Sequence, residues 1–313
     1  MCSILFPGQG SQVIGMGSEF YNNFPQVKTI FSQADDILKF SLSRMILEGP
    51  LDQLQLTKNT QPAILTVSYS IYKVLIEEFN FDFKQIKYFA GHSLGEYSAL
   101  VCAGSLKLDD ALFLLFERGK AMQEAVPVGE GSMIAVLSLK IDEVKKILQE
   151  HESVSGVCEI ANDNANGQVI VSGNKDNLDK LQIKLKTNKI KFIPLKVSAP
   201  FHCSLMKPAA KKMREIINMK EFKDPAVEII SNVTANPEKN SNVIKKLLID
   251  QIFSTVRWRE SLINMSNKGV NNFVEIGPGK TLSGMVKRTL KNVNSFSINS
   301  IDDIKNMKNE FKK

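Results

Sequence analysis

The chain has 313 residues, of which 43% are hydrophobic, and a formal net charge of +7. This length and apolar fraction suffice for one large α/β domain with at most a small satellite, and they exclude a disordered chain. No run of about 18 apolar residues is present, and the N-terminus enters an apolar strand at once, so we expect neither a transmembrane helix nor a signal peptide. The four cysteines form no C-x-x-C pair, which favours a reduced, cytoplasmic compartment.

The basic surplus, 40 lysines and arginines against 33 acidic residues, favours anionic partners. No basic stripe is interleaved with aromatic residues, so we do not expect nucleic acid binding. An acidic protein or a phosphate-bearing ligand fits the charge better.

The first third of the chain predicts an N-terminal strand, the loop Pro7-Gly8-Gln9-Gly10-Ser11-Gln12, and a helix after Gly15-Met16-Gly17. Residues 59–79 predict an apolar helix, with Pro62 tolerated in its first turn. Residues 108–122 carry apolar side chains at helical spacing.

Between these two helices lies Gly91-His92-Ser93-Leu94-Gly95, a G-x-S-x-G sequence. A buried strand is predicted at 86–90 and a helix at 96–103, which is the context of a nucleophile elbow. We expect the glycines to permit a strained turn with Ser93 at its apex. The backbone N–H of Leu94 would then point at an oxyanion formed when Ser93 attacks a carbonyl.

After the break at Gly129-Glu130-Gly131 the pattern changes to the order β-α-β-β-α-β, which is typical of a ferredoxin-like unit. The predicted elements are a strand at 132–139, a helix at 142–151, strands at 158–162 and 168–172, a helix at 175–187 and a strand at 191–197. We expect an inserted ferredoxin-like subdomain at 128–197, within an α/β-hydrolase-like core of residues 1–127 and 198–313 built on a parallel sheet. In the core, further strands are predicted at 228–232 and 272–276, and residues 302–313 predict a solvated tail or helix.

Ser93 needs a base, and the chain has three histidines. The turn should direct His92 away from Ser93, and His151 lies in a charged helix end that predicts a surface position. His202 follows a strand in an apolar loop with Pro200, so elimination favours it as the base. No aspartate stands out as its partner, and a backbone carbonyl could orient the imidazole equally well.

Two other glycine-containing segments do not predict cofactor binding. Val13 stands where a dinucleotide fingerprint requires its third glycine, and Val274 stands where a P-loop ending at Gly279-Lys280-Thr281 requires its first. No metal-ligand cluster is visible. We therefore expect no cofactor and no metal.

Six segments together resemble the malonyl-CoA:acyl-carrier-protein transacylases of bacterial-type fatty acid synthesis. In chain order they are Phe6-Pro7-Gly8-Gln9-Gly10-Ser11-Gln12, Gly91-His92-Ser93-Leu94-Gly95-Glu96-Tyr97, Arg118-Gly119, Pro200-Phe201-His202, Val256-Arg257-Trp258 and Gly277-Pro278-Gly279. The resemblance extends from Phe6 to about Gly284 and includes the inserted subdomain.

The resemblance implies a ping-pong acyltransferase. Ser93 would take the malonyl group from malonyl-CoA and pass it to the phosphopantetheine thiol of an acidic, transiently bound acyl carrier protein, with His202 as base. The oxyanion hole would be the backbone N–H groups of Gln9 and Leu94.

The resemblance also implies the binding residues. Arg118 would bind the malonyl carboxylate, although a surface arginine paired with Glu117 or Asp110 is the alternative. Gln251 would orient His202 through its backbone carbonyl, with its register loosened by the divergent segment 252–255. Asn162 would line the pocket, and Phe201 would crowd an α-methyl group. We expect a cytoplasmic monomer without membrane contact.

Three competing interpretations stay open. A serine esterase or thioesterase shares the elbow but gives Arg118 no role. A stand-alone acyltransferase of polyketide synthesis would use the same chemistry with another carrier protein. A non-catalytic partner of a carrier protein would have kept only the fold.

Overall fold

The computed structural model describes residues 1–81, 86–151, 156–197 and 199–311. Its strands are β1 (Cys2–Phe6), β2 (Ile86–Gly91), β3 (Gly131–Leu137), β4 (Cys158–Ala165), β5 (Gln168–Asn174), β6 (Phe192–Pro194), β7 (Glu228–Ile230), β8 (Pro237–Glu238), β9 (Asn272–Ile276) and β10 (Asn294–Ile298). Its helices are α1 (Ser18–Asn23), α2 (Pro25–Leu38), α3 (Leu42–Glu48), α4 (Leu51–Leu54), α5 (Thr57–Glu77), α6 (Gly95–Cys102), α7 (Leu108–Glu124), α8 (Ile141–Gln149), α9 (Lys175–Thr187), α10 (Lys207–Asn218), α11 (Ser241–Gln251), α12 (Trp258–Asn267), α13 (Thr281–Thr289) and α14 (Ile301–Phe311). Within these described ranges, no helix combines the length and the apolar character needed to cross a bilayer.

The larger sheet has the strand order β10-β9-β1-β2-β7-β8, and every pair is parallel except β7 with β8. Strand β1 is central and fully buried because helices cover both faces of the sheet. Its side chains alternate between two cores: Ile4 packs with one cluster and Leu5 with the other. The carboxyl ends of β1 and β2 lie side by side, with Phe6 paired to Gly91. The loops that follow these two strands therefore start next to each other.

The smaller sheet has the order β4-β5-β3-β6 with antiparallel pairing throughout. Counted within this unit alone, the strand order is 2-3-1-4, and α8 and α9 connect the strands. Its own core joins Ile134 and Val136 of β3 to Val144 of α8 and Leu178 and Leu181 of α9. The expectation of an α/β chain with a parallel sheet and a ferredoxin-like unit is confirmed.

The structure differs from the predicted elements in two places. Strand β6 ends at Pro194, short of the predicted 197, although the N–H of Leu195 still donates to the carbonyl oxygen of Met133. The charged C-terminal segment forms α14, and its Ile304 and Met307 are buried against the larger unit. The predicted end of this segment, residues 312–313, lies outside the described residues.

All four strands of the smaller sheet lie between residues 131 and 194. We therefore propose the division into a core of residues 1–127 and 198–313 and an inserted unit of residues 128–197. The return point at Ser198 lies outside the described residues. Gly131 lies where the chain enters the smaller unit, and Pro200 lies just after it returns to the larger one. A Cβ on Gly131 would lie 2.3 Å from the ring of Pro200, so these two connections pack closely.

Candidate active site

Ser93 lies on the sharp turn between β2 and α6 with a φ of 53°, a backbone conformation that non-glycine residues rarely adopt. The strained backbone conformation belongs to Ser93 itself, because neither Gly91 nor Gly95 has a positive φ. They are needed for close approach. A Cβ on Gly91 would lie 1.9 Å from Gly95, and a Cβ on Gly95 would lie 2.3 Å from the carbonyl oxygen of Phe6. The elbow is therefore pressed onto the end of β1.

Two backbone N–H groups beside Ser93 are free. Leu94 is the N-cap of α6, and in the described part of the chain neither its N–H nor that of Gln9 donates a hydrogen bond. A Cβ on Gly8 would lie 2.7 Å from the carbonyl oxygen of His92, so the Gln9 loop packs against the elbow. Two unpaired donors near a nucleophile, one of them at the positive end of a helix, suit an oxyanion.

His202 Nε2 lies 2.8 Å from Ser93 Oγ, and its Nδ1 lies 2.8 Å from the backbone oxygen of Gln251. A carbonyl only accepts hydrogen bonds, so Nδ1 carries the proton and Nε2 accepts from the serine hydroxyl. Burial, with a contribution from the positive charge of Arg118, lowers the pKa of His202 to about 3. The imidazole is therefore neutral at physiological pH and ready to take a proton.

The other two histidines do not contact Ser93 Oγ. His92 Nε2 lies 2.8 Å from Asn164 Oδ1, and its ring meets the ring of Trp258 edge-on. The predicted surface position of His151 was wrong: the side chain is 6% exposed, and Nε2 lies 2.7 Å from Asn177 Oδ1. The charged neighbours of His151 misled the prediction, since its own ring packs against Asn177 of α9.

Arg118 extends from α7 to the nucleophile and is 1% exposed. Its Nη2 donates to Ser93 Oγ at 3.1 Å and to Gln251 Oε1 at 2.8 Å, and its Nη1 donates to Gln61 Oε1 at 2.7 Å. The alternative pairing with Asp110 does not occur, because Lys220 holds that carboxylate at 2.8 Å. A buried guanidinium held by two neutral amides keeps its charge available for an anion.

The side chain of Gln251 joins Arg118 to a buried carboxylate. Its Nε2 donates to Glu96 Oε2 at 2.7 Å and to the carbonyl oxygen of Ser93 at 3.0 Å. Burial raises the pKa of Glu96 to about 7, against the lowering effect of its hydrogen bonds from Gln251 and Asn232. The divergent segment 252–255 leaves Gln251 in register with His202.

Sequence reasoning missed Glu96 and Asn232. Asn232 Oδ1 accepts from the Ser93 N–H at 2.7 Å, and its Nδ2 donates to the Gly91 carbonyl at 2.7 Å, so it holds the elbow from both sides. It follows β7 at the carboxyl edge of the parallel sheet, a position that could have suggested it. Glu96 is one helical turn after Ser93, a weaker signal because charged residues are common in first turns.

A cavity of about 240 Å³ lies in front of Ser93 and is mostly apolar. Gln9, Arg118, Phe201 and His202 line it from the larger unit, and Asn162 from β4 lines it from the smaller one. An isolated bridge between Asn162 and Val256 ties the two units together at this wall. The sequence-predicted site residues thus line one cavity, except for Gln251, which lies behind His202 and Arg118 and contacts both.

Comparison with known proteins agrees with this geometry. A family model described as "Acyl transferase domain" matches residues 4–311. The malonyl CoA-acyl carrier protein transacylase of Bacillus subtilis is 42% identical over 303 residues, covering 96% of this chain and 94% of the relative.

Among solved structures, an acyl-carrier-protein S-malonyltransferase from Bartonella henselae has a TM-score of 0.95 at 39% identity, covering 100% of this chain and 99% of the other. A malonyl-transacylase solved in complex with a type II PKS acyl-carrier protein has a TM-score of 0.92 at 36% identity, covering 97% of each chain. The chain therefore belongs to the malonyl CoA-acyl carrier protein transacylases of the acyl transferase family.

Proposed function

We propose that this chain transfers the malonyl group from malonyl-CoA to the phosphopantetheine thiol of an acyl carrier protein, through a malonyl ester on Ser93. The observation that carries the proposal is the distance of 3.1 Å between Arg118 Nη2 and Ser93 Oγ. A buried cation beside the nucleophile would cost free energy in an esterase for neutral acyl groups, but it fits an acyl group that ends in a carboxylate.

In the first half-reaction, Ser93 Oγ attacks the thioester carbonyl while His202 Nε2 takes the hydroxyl proton. The oxyanion of the tetrahedral intermediate accepts hydrogen bonds from the N–H groups of Leu94 and Gln9. Collapse of the intermediate breaks the carbon–sulfur bond. The imidazolium returns its proton to the departing thiolate, so CoA leaves as a thiol and the malonyl group remains as an ester.

In the second half-reaction, the same neutral His202 deprotonates the carrier protein's thiol. The thiolate attacks the ester carbonyl, the oxyanion forms again between the same N–H groups, and the serine oxygen leaves with the proton from His202. The Gln251 carbonyl holds the imidazole in one tautomer through both halves, at 2.8 Å from Nδ1.

Three residues would select the acyl group. Arg118 would form a two-point salt bridge with the free carboxylate, which fixes orientation as well as charge. Asn162, which is 6% exposed on the opposite wall, would donate or accept a hydrogen bond with the bound group. The ring of Phe201, next to the base, would crowd an α-methyl substituent.

The chain has 40 basic and 33 acidic residues, and this excess of positive charge supports the proposal that the carrier protein is acidic and binds transiently. We place the reaction in fatty acid synthesis, in the cytoplasm, with a monomeric enzyme. The solved relative bound to a type II PKS carrier protein favours polyketide synthesis as the second candidate, with the same chemistry. Relative rates with carrier proteins of the two kinds decide between them.

The test is the fate of the malonyl group when the enzyme meets malonyl-CoA and carrier protein bearing its phosphopantetheine arm. The proposal predicts malonyl-carrier protein as the main product, formed more slowly as ionic strength rises. Free malonate and CoA, released at a rate independent of carrier protein, would instead identify a thioesterase.

A further inference from the structure

Glu96 is a buried carboxylate that the transfer cycle does not use. It lies in the first turn of α6 and is 2% exposed. Its Oε2 accepts from Gln251 Nε2 at 2.7 Å and from the backbone N–H of Asn232 at 3.2 Å. Both donors belong to residues that also bond to the backbone of Ser93. Glu96 is therefore connected to the site rather than to the surrounding scaffold.

The amide of Gln251 lies between an acceptor and a donor. Its Nε2 faces Glu96, and its Oε1 accepts from Arg118 Nη2 at 2.8 Å. A side-chain amide can turn over by half a rotation unless its neighbours distinguish oxygen from nitrogen. Glu96 Oε2 accepts from both Gln251 Nε2 and the Asn232 N–H, and a guanidinium only donates hydrogen bonds. Arg118 on the oxygen side of the amide, with Glu96 and the Ser93 carbonyl oxygen on the nitrogen side, permits one orientation, and Glu96 provides the shorter of the two acceptor contacts.

This orientation matters for Arg118. With Oε1 facing it, Nη2 is held where it also reaches Ser93 Oγ at 3.1 Å. In the reversed orientation two donors, Gln251 Nε2 and Arg118 Nη2, would face each other and repel. The guanidinium would then lose one of the two amide oxygens that hold it, the other being Gln61 Oε1.

We propose that Glu96 is a positioning residue for carboxylate recognition: its acceptor oxygen locks the Gln251 amide and so keeps Arg118 beside Ser93. This inference rests on the proposed function, because it takes Arg118 to bind the malonyl carboxylate. The acceptor is the essential property. A glutamine at position 96 would keep it, since the fixed N–H of Asn232 would select the rotamer that presents the amide oxygen to Gln251.

The test compares Glu96→Met, which keeps the length but removes the acceptor, with Glu96→Gln, which retains it. The quantity measured is the ratio of kcat/KM for malonyl-CoA to kcat/KM for acetyl-CoA, because acetyl lacks the carboxylate. We expect Glu96→Met to lower this ratio about tenfold and Glu96→Gln to keep it within about threefold.

Two controls show whether the effect passes through Arg118. Glu275 is fully buried and accepts two backbone N–H groups, from Leu282 and Ser283, without contacting Arg118. Glu275→Met should lower the melting temperature and leave the ratio unchanged. In an Arg118→Ala background, Glu96→Met should change the ratio by less than about twofold. Glu96 is proposed to act by positioning Arg118, and that side chain is already absent.

The inference is overturned if Glu96→Met leaves the malonyl-to-acetyl ratio of kcat/KM unchanged, including the case of equal losses with both substrates. It is also overturned if Glu96→Gln lowers this ratio as much as Glu96→Met does. If Glu96→Met does not fold, Gln251→Met breaks the same contact from the other side while keeping the backbone carbonyl for His202, and it must lower the ratio likewise. Failure of the proposed function has a different signature: Arg118→Ala itself would then leave the ratio unchanged.

Discussion

The two sheets of this molecule contribute unequally to the site. The larger unit carries Ser93, His202 and Arg118, the proposed nucleophile, base and carboxylate-binding residue, which are joined by hydrogen bonds that end on Glu96. The smaller sheet contributes one wall of the cavity, where Asn162 is the polar residue that the sequence singled out. In the proposed mechanism, bond making therefore depends on a buried polar network in one unit. The other unit shapes the space in which the acyl group lies.

Removing the base should have the largest effect. His202→Ala removes the only imidazole in hydrogen-bond contact with Ser93 Oγ among the described residues, so we expect formation of the acyl-enzyme to slow by at least about 1,000-fold. Rapid-quench measurement of acyl-enzyme formation checks this. A loss below tenfold with an unchanged melting temperature would mean that another group acts as the base.

Arg118→Ala should lower kcat/KM for malonyl-CoA about 100-fold and change that for acetyl-CoA by less than about threefold, because only malonyl has a carboxylate to lose its partner. Steady-state assays with both substrates measure this. Arg259→Ala is the matched control, since Arg259 is also hydrogen-bonded to a largely buried partner, Asp163, outside the network. Equal losses for both substrates in Arg118→Ala would contradict selective recognition.

The depressed pKa of His202 predicts an acylation rate that is nearly independent of pH. With a pKa of about 3, the imidazole is neutral from pH 8 down to pH 5, so the His202 contribution should change the acylation rate by less than about twofold. An imidazole with the ordinary pKa of 6.5 would lose about thirtyfold over this range. A thirtyfold fall would contradict the buried, neutral base.

The same shift affects stability in a defined direction. Below pH 6.5 the unfolded chain binds a proton at this histidine, whereas the folded chain does not until about pH 3. This contribution therefore destabilises the folded state progressively as pH falls from 6.5 to 3.

Phe201→Ala tests whether the ring beside His202 excludes an α-methyl group. Opening the space beside His202 should raise the kcat/KM ratio of methylmalonyl-CoA to malonyl-CoA about tenfold. Phe222 is similarly buried but does not line the cavity, so Phe222→Ala should destabilise the fold without changing this ratio. If the methylmalonyl-to-malonyl ratio of kcat/KM were the same in the wild type and in Phe201→Ala, the Phe201 ring would have no role in acyl-group selection.

The smallest kinetic effect is expected in the smaller unit. Asn162→Ala should raise KM for malonyl-CoA about fivefold with kcat little changed, as for the loss of one hydrogen bond. His151→Ala should leave both constants unchanged while lowering the free energy of unfolding by about 1–2 kcal/mol, because the buried Oδ1 of Asn177 loses its hydrogen bond to the ring. If Asn162→Ala lowered kcat and left KM unchanged, Asn162 would instead act on the reacting atoms.

Local patterns in the sequence predicted much of the fold. Helix α9 and strand β9 have the predicted bounds, because their periodicity and flanking turns are complete within the segment. Strands β8 and β10 were missed. Both are edge strands of the larger sheet without an apolar run: β8 has two residues, and β10 alternates polar residues with Phe296 and Ile298.

The site residues also fall into those that the sequence could predict and those that it could not. Ser93 lies in a local motif, and His202 followed from elimination among three histidines. The burial of Glu96 and His151 depends on tertiary packing, so no local pattern could predict it, and the one local signal for Asn232 was its position after β7. The polar network is a property of the tertiary structure rather than of any one segment.

The mass of the intact protein after brief exposure to malonyl-CoA shows whether the acyl group passes through Ser93. We predict one malonyl adduct, absent in Ser93→Ala and retained in Ser98→Ala, a buried serine one turn along α6 from the elbow. The adduct should disappear when carrier protein bearing its phosphopantetheine arm is added. No adduct on the wild-type protein, or an adduct that persists in Ser93→Ala, would contradict acyl transfer through this serine.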